Sequence, residues 1–402
     1  MSVGLIPHHE GEVYAAGSPA VNPRISAAGL AALLFLATGC AATPSATQPP
    51  YLVGISYGVE LLAALGEQDP QQRMEEDFRC LGKLGFDTVL IRHAEDRDRP
   101  RILEAAQQHE LTVGMPSRDV VYYVRTGRVP PGCGSVEALA DSLLPRAGEA
   151  ASICMLGEVV DATTASRVGR LAAAHRGRTR GVVTLALVNG PGIAARSLRP
   201  EATLVGRAPE AAAGDGAGDL MLLECVGRDK EAQLRSANRW LAKYHAGLAA
   251  GLTGGLVIDR FRVLPGRRRA LVEGDQPANV RFSAAIRRIT SRATCWGPKL
   301  RRLQPQVIEP AEPASPSLKV VLFTGSKRRF VLVFNTSPGD FVHQAVTLPI
   351  GRGELASQPV RRAVLVPPDV HVIAGQVVQP RGNRLALPVD LAPGDARLWE
   401  VF

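Results

Sequence analysis

The chain has 402 residues, 46% of them hydrophobic, enough for a large core and more than one domain. Its formal charge of +9 comes almost wholly from arginine, since only six lysines are present, and the arginines are scattered rather than interleaved with aromatics. That pattern gives a basic surface and not a nucleic-acid groove, so nucleic acid is excluded as a partner.

Residues 25–39, ISAAGLAALLFLATG, are apolar apart from Ser26 and Thr38. The run is short for a bilayer span and suits the hydrophobic region of a secretory signal. It passes into LATGCAAT, which resembles the lipobox of bacterial lipoproteins. The resemblance implies a signal peptide over residues 1–39 and lipid on Cys40 as the mature first residue. It also implies membrane contact through that lipid and a place in the bacterial cell envelope, on its periplasmic or surface side. Ala37 stands where leucine is commonest, with Leu36 one place early. Residues 1–23 carry Glu10 and Glu12 but no lysine or arginine; initiation at Val21 gives a compact signal with Arg24 ahead of the apolar run. Cys80, Cys133, Cys154, Cys225 and Cys295 form no CxxC pair and have no histidine at ligand spacing, so no metal or other cofactor is expected.

A Pro/Thr/Ala-rich tether covers residues 40–50, and a rhythm of strands and helices follows. YLVGISYG (51–58) reads as a strand. In the next segment Asp69 is placed as N-cap and Pro70 at the first helical position. Met74, Phe78, Leu81 and Leu84 mark one face of that helix, and Gly85 stops it. FDTVLIRHA, LTVGMPS and ICMLGEVV (153–160) read as strands two to four, with helices at RPRILEAAQQHE and at 135–150 between them. Thr163 or Thr164 caps a helix reaching His175. GVVTLALVNG (181–190), ATLVGRAP (202–209), DLMLLECVG (219–227) and GGLVIDRF (254–261) supply strands five to eight. Helices at about 230–250 and near 282–294 complete the series. Eight strands alternating with helices over this length predict an α/β (β/α)₈ TIM barrel across residues 51–303. Residues 304–317 hold four prolines and read as a linker. From 318 to 402 the pattern changes to short apolar runs at regular spacing, as in a small all-β sandwich.

Two of the barrel runs end on carboxylates: ICMLGEVV on Glu158, in strand four, and DLMLLECVG on Glu224, in strand seven. An ionised glutamate is costly to bury alone. At the carboxyl ends of barrel strands, however, buried chain opens into a wet cleft where chemistry is done.

That placement resembles the retaining glycoside hydrolases built on (β/α)₈ barrels, in which the acid/base glutamate follows strand four and the nucleophile follows strand seven. The stretch GISYG…DPQQRMEEDFRCLGKLGFDTVLIRHAEDRDRPRILEAAQQHELTVGMP is similar to the first third of beta-galactosidase-like members, and RRFVLVFNTSP…LAPGDARLWEVF looks like their small β-sandwich. The resemblance implies an oligo- or polysaccharide partner, Glu158 as acid/base and Glu224 as nucleophile. It implies Arg92 beside the nucleophile, and sugar contacts from Tyr57, His93, Tyr122, Tyr123 and Asp259. This chain departs from the family at Gly157, where Asn or Asp usually precedes the acid/base, and at VIDRF, where a tryptophan platform is common.

Other barrel chemistries have less behind them. No lysine stands at a strand end for a Schiff base, and no histidines cluster for a metallohydrolase. Glu158 also suits a structural salt bridge, His93 a cap or core position, and Asp161 and Asp259 turns or ion pairs. Two readings therefore stay open: a glycosidase, and a carbohydrate-binding or scaffolding lipoprotein with a degenerate barrel.

Overall fold

The structure is a computed structural model. It describes residues 51–60, 62, 69–91, 97–142, 153–159, 161–175, 184–188, 203–207, 219–224, 233–259, 261–263, 272–273, 280–301, 303–312, 314–350, 355, 359–368 and 375–402. Its first half runs β1 (Leu52–Tyr57), α1 (Pro70–Lys83), β2 (Thr88–Ile91), α2 (Arg99–Gln108), β3 (Thr112–Met115), α3 (Arg118–Thr126) and α4 (Val136–Asp141). Then come β4 (Ile153–Val159), α5 (Ala162–His175), β5 (Thr184–Val188), β6 (Thr203–Arg207), β7 (Leu220–Glu224), α6 (Gln233–Ala249) and β8 (Gly255–Asp259). A two-residue pair, β9 (Arg262–Val263) and β10 (Val272–Glu273), precedes α7 (Val280–Leu300).

Strands β1 to β8 pair in parallel in chain order, and β8 closes on β1 with Leu52 opposite Gly255 and Ile55 opposite Ile258. The expected (β/α)₈ barrel is present. Its interior is a cluster of Leu52, Leu90, Ile153, Met155, Leu185, Leu220, Leu222 and Val257. Glycines make room for these side chains. Gly255 lies in register between Leu52 and Leu220, and Gly114 between Leu90 and Ile153. A β-carbon on Gly114 would come within 2.6 Å of Leu90 Cδ2. In the strands whose side chains are described, the opposite series, such as Val53 and Ile55 of β1 and Leu256 and Ile258 of β8, packs against the helices.

Helix α1 forms where its sequence signals place it. The Asp69 carboxylate accepts from the amides of Gln71 and Gln72 at 3.1 and 3.2 Å, satisfying two orphan donors of the first turn. Met74, Phe78, Leu81 and Leu84 are all buried, and Gly85 leaves the helix with φ +87°. In α5 the cap is Asp161 rather than Thr163 or Thr164. Its Oδ1 accepts the Thr164 amide at 2.7 Å while Thr164 Oγ1 accepts the Asp161 amide at 3.1 Å.

Beyond the barrel lie β11 (Gln304–Val307), β12 (Leu318–Thr324), β13 (Arg329–Asn335), β14 (Val342–Pro349), β15 (Ala363–Val366), β16 (Val377–Val378), β17 (Arg384–Leu391) and β18 (Ala396–Val401). They make a six-stranded sheet, β11-β12-β13-β18-β15-β16, and a two-stranded sheet, β14-β17. The expected run DVHVIAG lies almost wholly outside the described residues. The expected linker is corrected at its start: Gln304–Val307 pairs antiparallel with β12 as an edge strand. Pro305 is tolerable there because an edge strand needs ladder bonds on one side only.

The larger sheet is covered on both faces, which explains why RFVLVFN shows no polar alternation. Phe330, Leu332 and Phe334 join the core shared with the barrel helices, whereas Val331 and Val333 join the core between the sheets. The joint to the barrel also contains a buried polar chain. Arg292 of α7 pairs with Asp395, donates from Nη1 to His245 Nε2 of α6 at 3.0 Å, and lies 5.0 Å from the Trp296 ring centroid. The guanidinium can only donate, so His245 Nε2 accepts and its Nδ1–H donates to the Gly394 carbonyl at 3.1 Å. Burial and then the Arg292 charge hold the His245 pKa well below its usual range, so the ring stays neutral. Burial would raise the Asp395 carboxyl, but the Arg292 charge and hydrogen bond, the Ala396 amide and His245 together offset it and the net shift is downward.

Because the folded protein resists protonation of His245, the unfolded chain binds more protons once pH falls below about 6.5, and stability declines from there downward. His245→Gln removes this penalty along with the hydrogen bonds. The variant should melt below the parent at pH 7.5, and the gap in Tm by circular dichroism should narrow at pH 5.5. A gap independent of pH would contradict the neutral buried imidazole.

Candidate active site at the barrel mouth

Counting strands around the closed barrel, Glu158 is the penultimate residue of β4 and Glu224 the last residue of β7. Both stand at carboxyl ends, the functional face of such barrels. In β7, Leu220 and Leu222 belong to the interior cluster, so the two-residue period of a strand carries position 224 into the same inward series. In β4 the interior residues are Ile153 and Met155, whereas Leu156 and Val159 join the outer core beneath α3, α4 and α5. Strict alternation from Met155 would put 157 and 159 inward. The register shift between Met155 and Gly157 breaks that alternation and returns position 158 to the inward series. Gly157, a departure from the family pattern, thus sits where the strand bulges. The side chains of Glu158 and Glu224 lie outside the described residues, as do Arg92, His93 and Cys40 entirely.

Asp259 ends β8 directly in register with Glu224, and it is partly exposed. It follows Val257 in the inward series, so two carboxylate residues come together on adjacent strand ends. Ser56, not singled out from the sequence, shares the inward series of β1. It is buried, and among the described residues its hydroxyl meets no hydrogen-bond partner. Counting in twos from Leu52 was the signal that would have found it.

The tyrosines are corrected. Tyr57 belongs to the outward series of β1 with Val53 and Ile55, in the core under the helices. Its ring meets Phe78 edge-on at 5.3 Å and stacks on Phe261 at 5.8 Å, and its hydroxyl donates to Asp77 Oδ2 at 2.9 Å. A strand end in the sequence does not by itself say which face the side chain takes. Tyr122 and Tyr123 lie in α3, a helix not expected from the sequence although its signals are present: Ser117 accepts the Val120 amide at 3.2 Å, and Gly127 ends the helix at φ +75°. Tyr123 is buried against α5 and β4, whereas Tyr122 is 39% exposed on the outer face of α3. Among the described residues no group of His, Cys, Asp and Glu could hold a metal ion.

The fold and this arrangement define a (β/α)₈ barrel with a C-terminal β-sandwich and carboxylates on strands four, seven and eight. No family model matches the chain, and no curated protein does. Among solved structures it is similar to the alpha-amylase of Geobacillus thermoleovorans complexed with acarbose, with TM-score 0.51 and 9% identity over 87% of this chain and 98% of that one. It is also similar to the maltogenic alpha-amylase AmyB of Thermotoga neapolitana (TM-score 0.47, 11% identity, 87% and 98%). A third is the family 30 subfamily 8 xylanase Xyn30A of Clostridium acetobutylicum (TM-score 0.45, 9% identity, 87% and 95%). These neighbours are glycoside hydrolases, and at such identities what is shared is the fold.

The tyrosine placements can be tested by stability. Tyr57→Phe removes the hydrogen bond to buried Asp77 and should cost about 1–2 kcal/mol in urea unfolding. Tyr122→Ala, at an exposed helix position, should stay within about 0.5 kcal/mol of the parent. Equal losses for the two would contradict the packing described.

Proposed function

We propose that the chain is an exported, lipid-anchored protein that cleaves glycosidic bonds in an oligo- or polysaccharide with retention of configuration. Glu158 protonates the departing glycosidic oxygen while the Glu224 carboxylate attacks the anomeric carbon, forming a covalent glycosyl ester. Glu158, now ionised, takes a proton from water as the water oxygen displaces Glu224 and releases the sugar. This chemistry requires the carboxyl groups to stand roughly 5–5.5 Å apart. Arg92, two residues after Leu90 in the sequence, supplies in this reading a cation that favours the ionised nucleophile. His93, Asp259 and Tyr122 are the remaining candidates for sugar contacts; Tyr122 lies on helix α3 rather than at a strand end.

This reading rests on residues 158 and 224 standing at the carboxyl ends of strands four and seven, and on the register shift in β4 between Met155 and Gly157. Likeness in fold to an amylase solved with acarbose supports a carbohydrate partner. Among the described residues no helix is long and apolar enough to cross a membrane, so membrane attachment in this reading rests on lipid at Cys40. The beta-galactosidase-like opening supports the family assignment at the level of pattern.

A specific observation favours a second reading. Tyr57 and Tyr123 are committed to packing, which leaves fewer ring faces for sugar at the mouth. A barrel that binds a glycan without turning it over has the same architecture.

Kinetics on a panel of aryl glycosides separates the two. For an active parent, Glu224→Ala abolishes turnover. Glu158→Ala lowers kcat about 10²–10⁴-fold on poor leaving groups and far less on dinitrophenyl glycosides, which depart without protonation. Glycan binding with no hydrolysis in the parent selects the second reading, and neither activity nor binding refutes both. The anchor is checked apart from these: intact mass of the envelope-derived protein should carry diacylglycerol and lose it in Cys40→Ser, and an unlipidated mature parent would refute it.

A further inference from the structure

The sandwich holds a cleft of about 370 Å³ bounded by both its sheets, with β14 and β17 on one side and β15 and β18 on the other. Ligand pockets start at roughly 300 Å³, so a small molecule fits. Two of its lining groups are unexplained by the fold. Trp399 is fully buried, yet among the described residues its indole Nε1–H meets no acceptor, and the side-chain amide nitrogen of Gln344, from the facing sheet, is likewise buried without one. Orphaned buried donors are costly, and native structures seldom retain them without a reason. Arg397, two residues before Trp399 and in the same series of β18, lines the cleft as well and makes no ion pair among the described residues.

These three groups define what is complementary. An indole N–H and a guanidinium donate and never accept, so the ligand must bring acceptors. Among the described residues Arg397 is the one permanently charged cation of the lining, and it matches a single negative charge. An ionised carboxylate is acceptor-only and takes charge-assisted bonds from arginine. Leu365, Val389 and Pro388 supply apolar wall for a compact body behind that group. The one carboxylate in the lining, Asp390, is 3.6 Å from His343 in an exposed pair, each partner more than 70% accessible.

We propose that this cleft binds a small organic monocarboxylate, held by the Trp399 indole N–H, the Gln344 amide and the Arg397 guanidinium. The site stands apart from the barrel mouth and does not depend on whether the barrel turns over a glycan. The test is calorimetric titration of the full chain with D-glucuronate, N-acetylglycine and, as a neutral control, D-glucose. Saturable binding of either acid but not of glucose supports the site, and the preferred acid tells whether it takes sugar acids or peptide termini. Gln344→Met and Arg397→Met should each weaken that binding at least about tenfold. Both are outside the buried core, and circular dichroism checks that they fold; Trp399→Phe tests the third donor. The proposal is overturned if neither acid binds, if glucose binds as well, or if all three variants bind as the parent does.

Discussion

Closure of the barrel is the constraint on which the rest of the structure depends. Eight parallel strands can meet only if the inward residues fill the interior without forcing the wall apart, because a protein interior is packed to near-crystalline density. The chain meets this by placing Gly255 between Leu52 and Leu220, and Gly114 between Leu90 and Ile153. Once β8 pairs with β1, the order of strands is settled and all eight carboxyl ends share one rim. Glu224 then needs only the two-residue period to reach the inward series. Glu158 needs one thing more, the irregularity at Gly157, without which its strand would turn that position to the helices.

The second dependence is the joint between barrel and sandwich. Its larger part is apolar, since Phe330, Leu332 and Phe334 enter the same core as the outer residues of β1 and β8. The polar part is the chain from Gly394 through His245 and Arg292 to Asp395. A buried ion pair seldom adds net stability over an apolar substitute, because desolvation offsets the attraction. Direction is what this chain adds: Arg292 Nη1 and Nη2 and His245 Nδ1 each donate to an acceptor on a different element, which orients the sheet on α6 and α7. Asn238 donating to the Pro338 carbonyl and Trp296 to that of Pro367 act in the same sense.

How much of this could be read beforehand depended on the range of the interaction. Local signals were legible. Asp69, Pro70 and Gly85 framed α1, and the alternation of strands and helices gave the barrel and its strand count. Signals needing a neighbour were not. The bulge in β4 is a relation between that strand and β5, and the face taken by Tyr57 depends on what packs against β1. The edge strand at Gln304–Val307 was hidden because prolines mark both linkers and edges. Helix α3 is a different case: Ser117 as cap and Gly127 as stop are both local signals, and they make the segment of Tyr122 and Tyr123 a helix rather than a loop of free ring faces. For the site, the two strand ends were legible and the supporting groups, Ser56 among them, were not.

The fate of the aromatics bears on what kind of recognition the molecule can perform. All three tryptophans are buried, as are Tyr57, Tyr123 and Tyr244, so these large rings serve as packing and their faces are closed. Sugar binding by stacking draws on such faces. With few to offer, a glycan in the barrel mouth would be held mainly through hydrogen bonds and charge, which strengthen only where water is excluded. Trp399 follows the same logic in the sandwich: its rings fill the core between the sheets, and the one part of it left to act on a ligand is the polar edge.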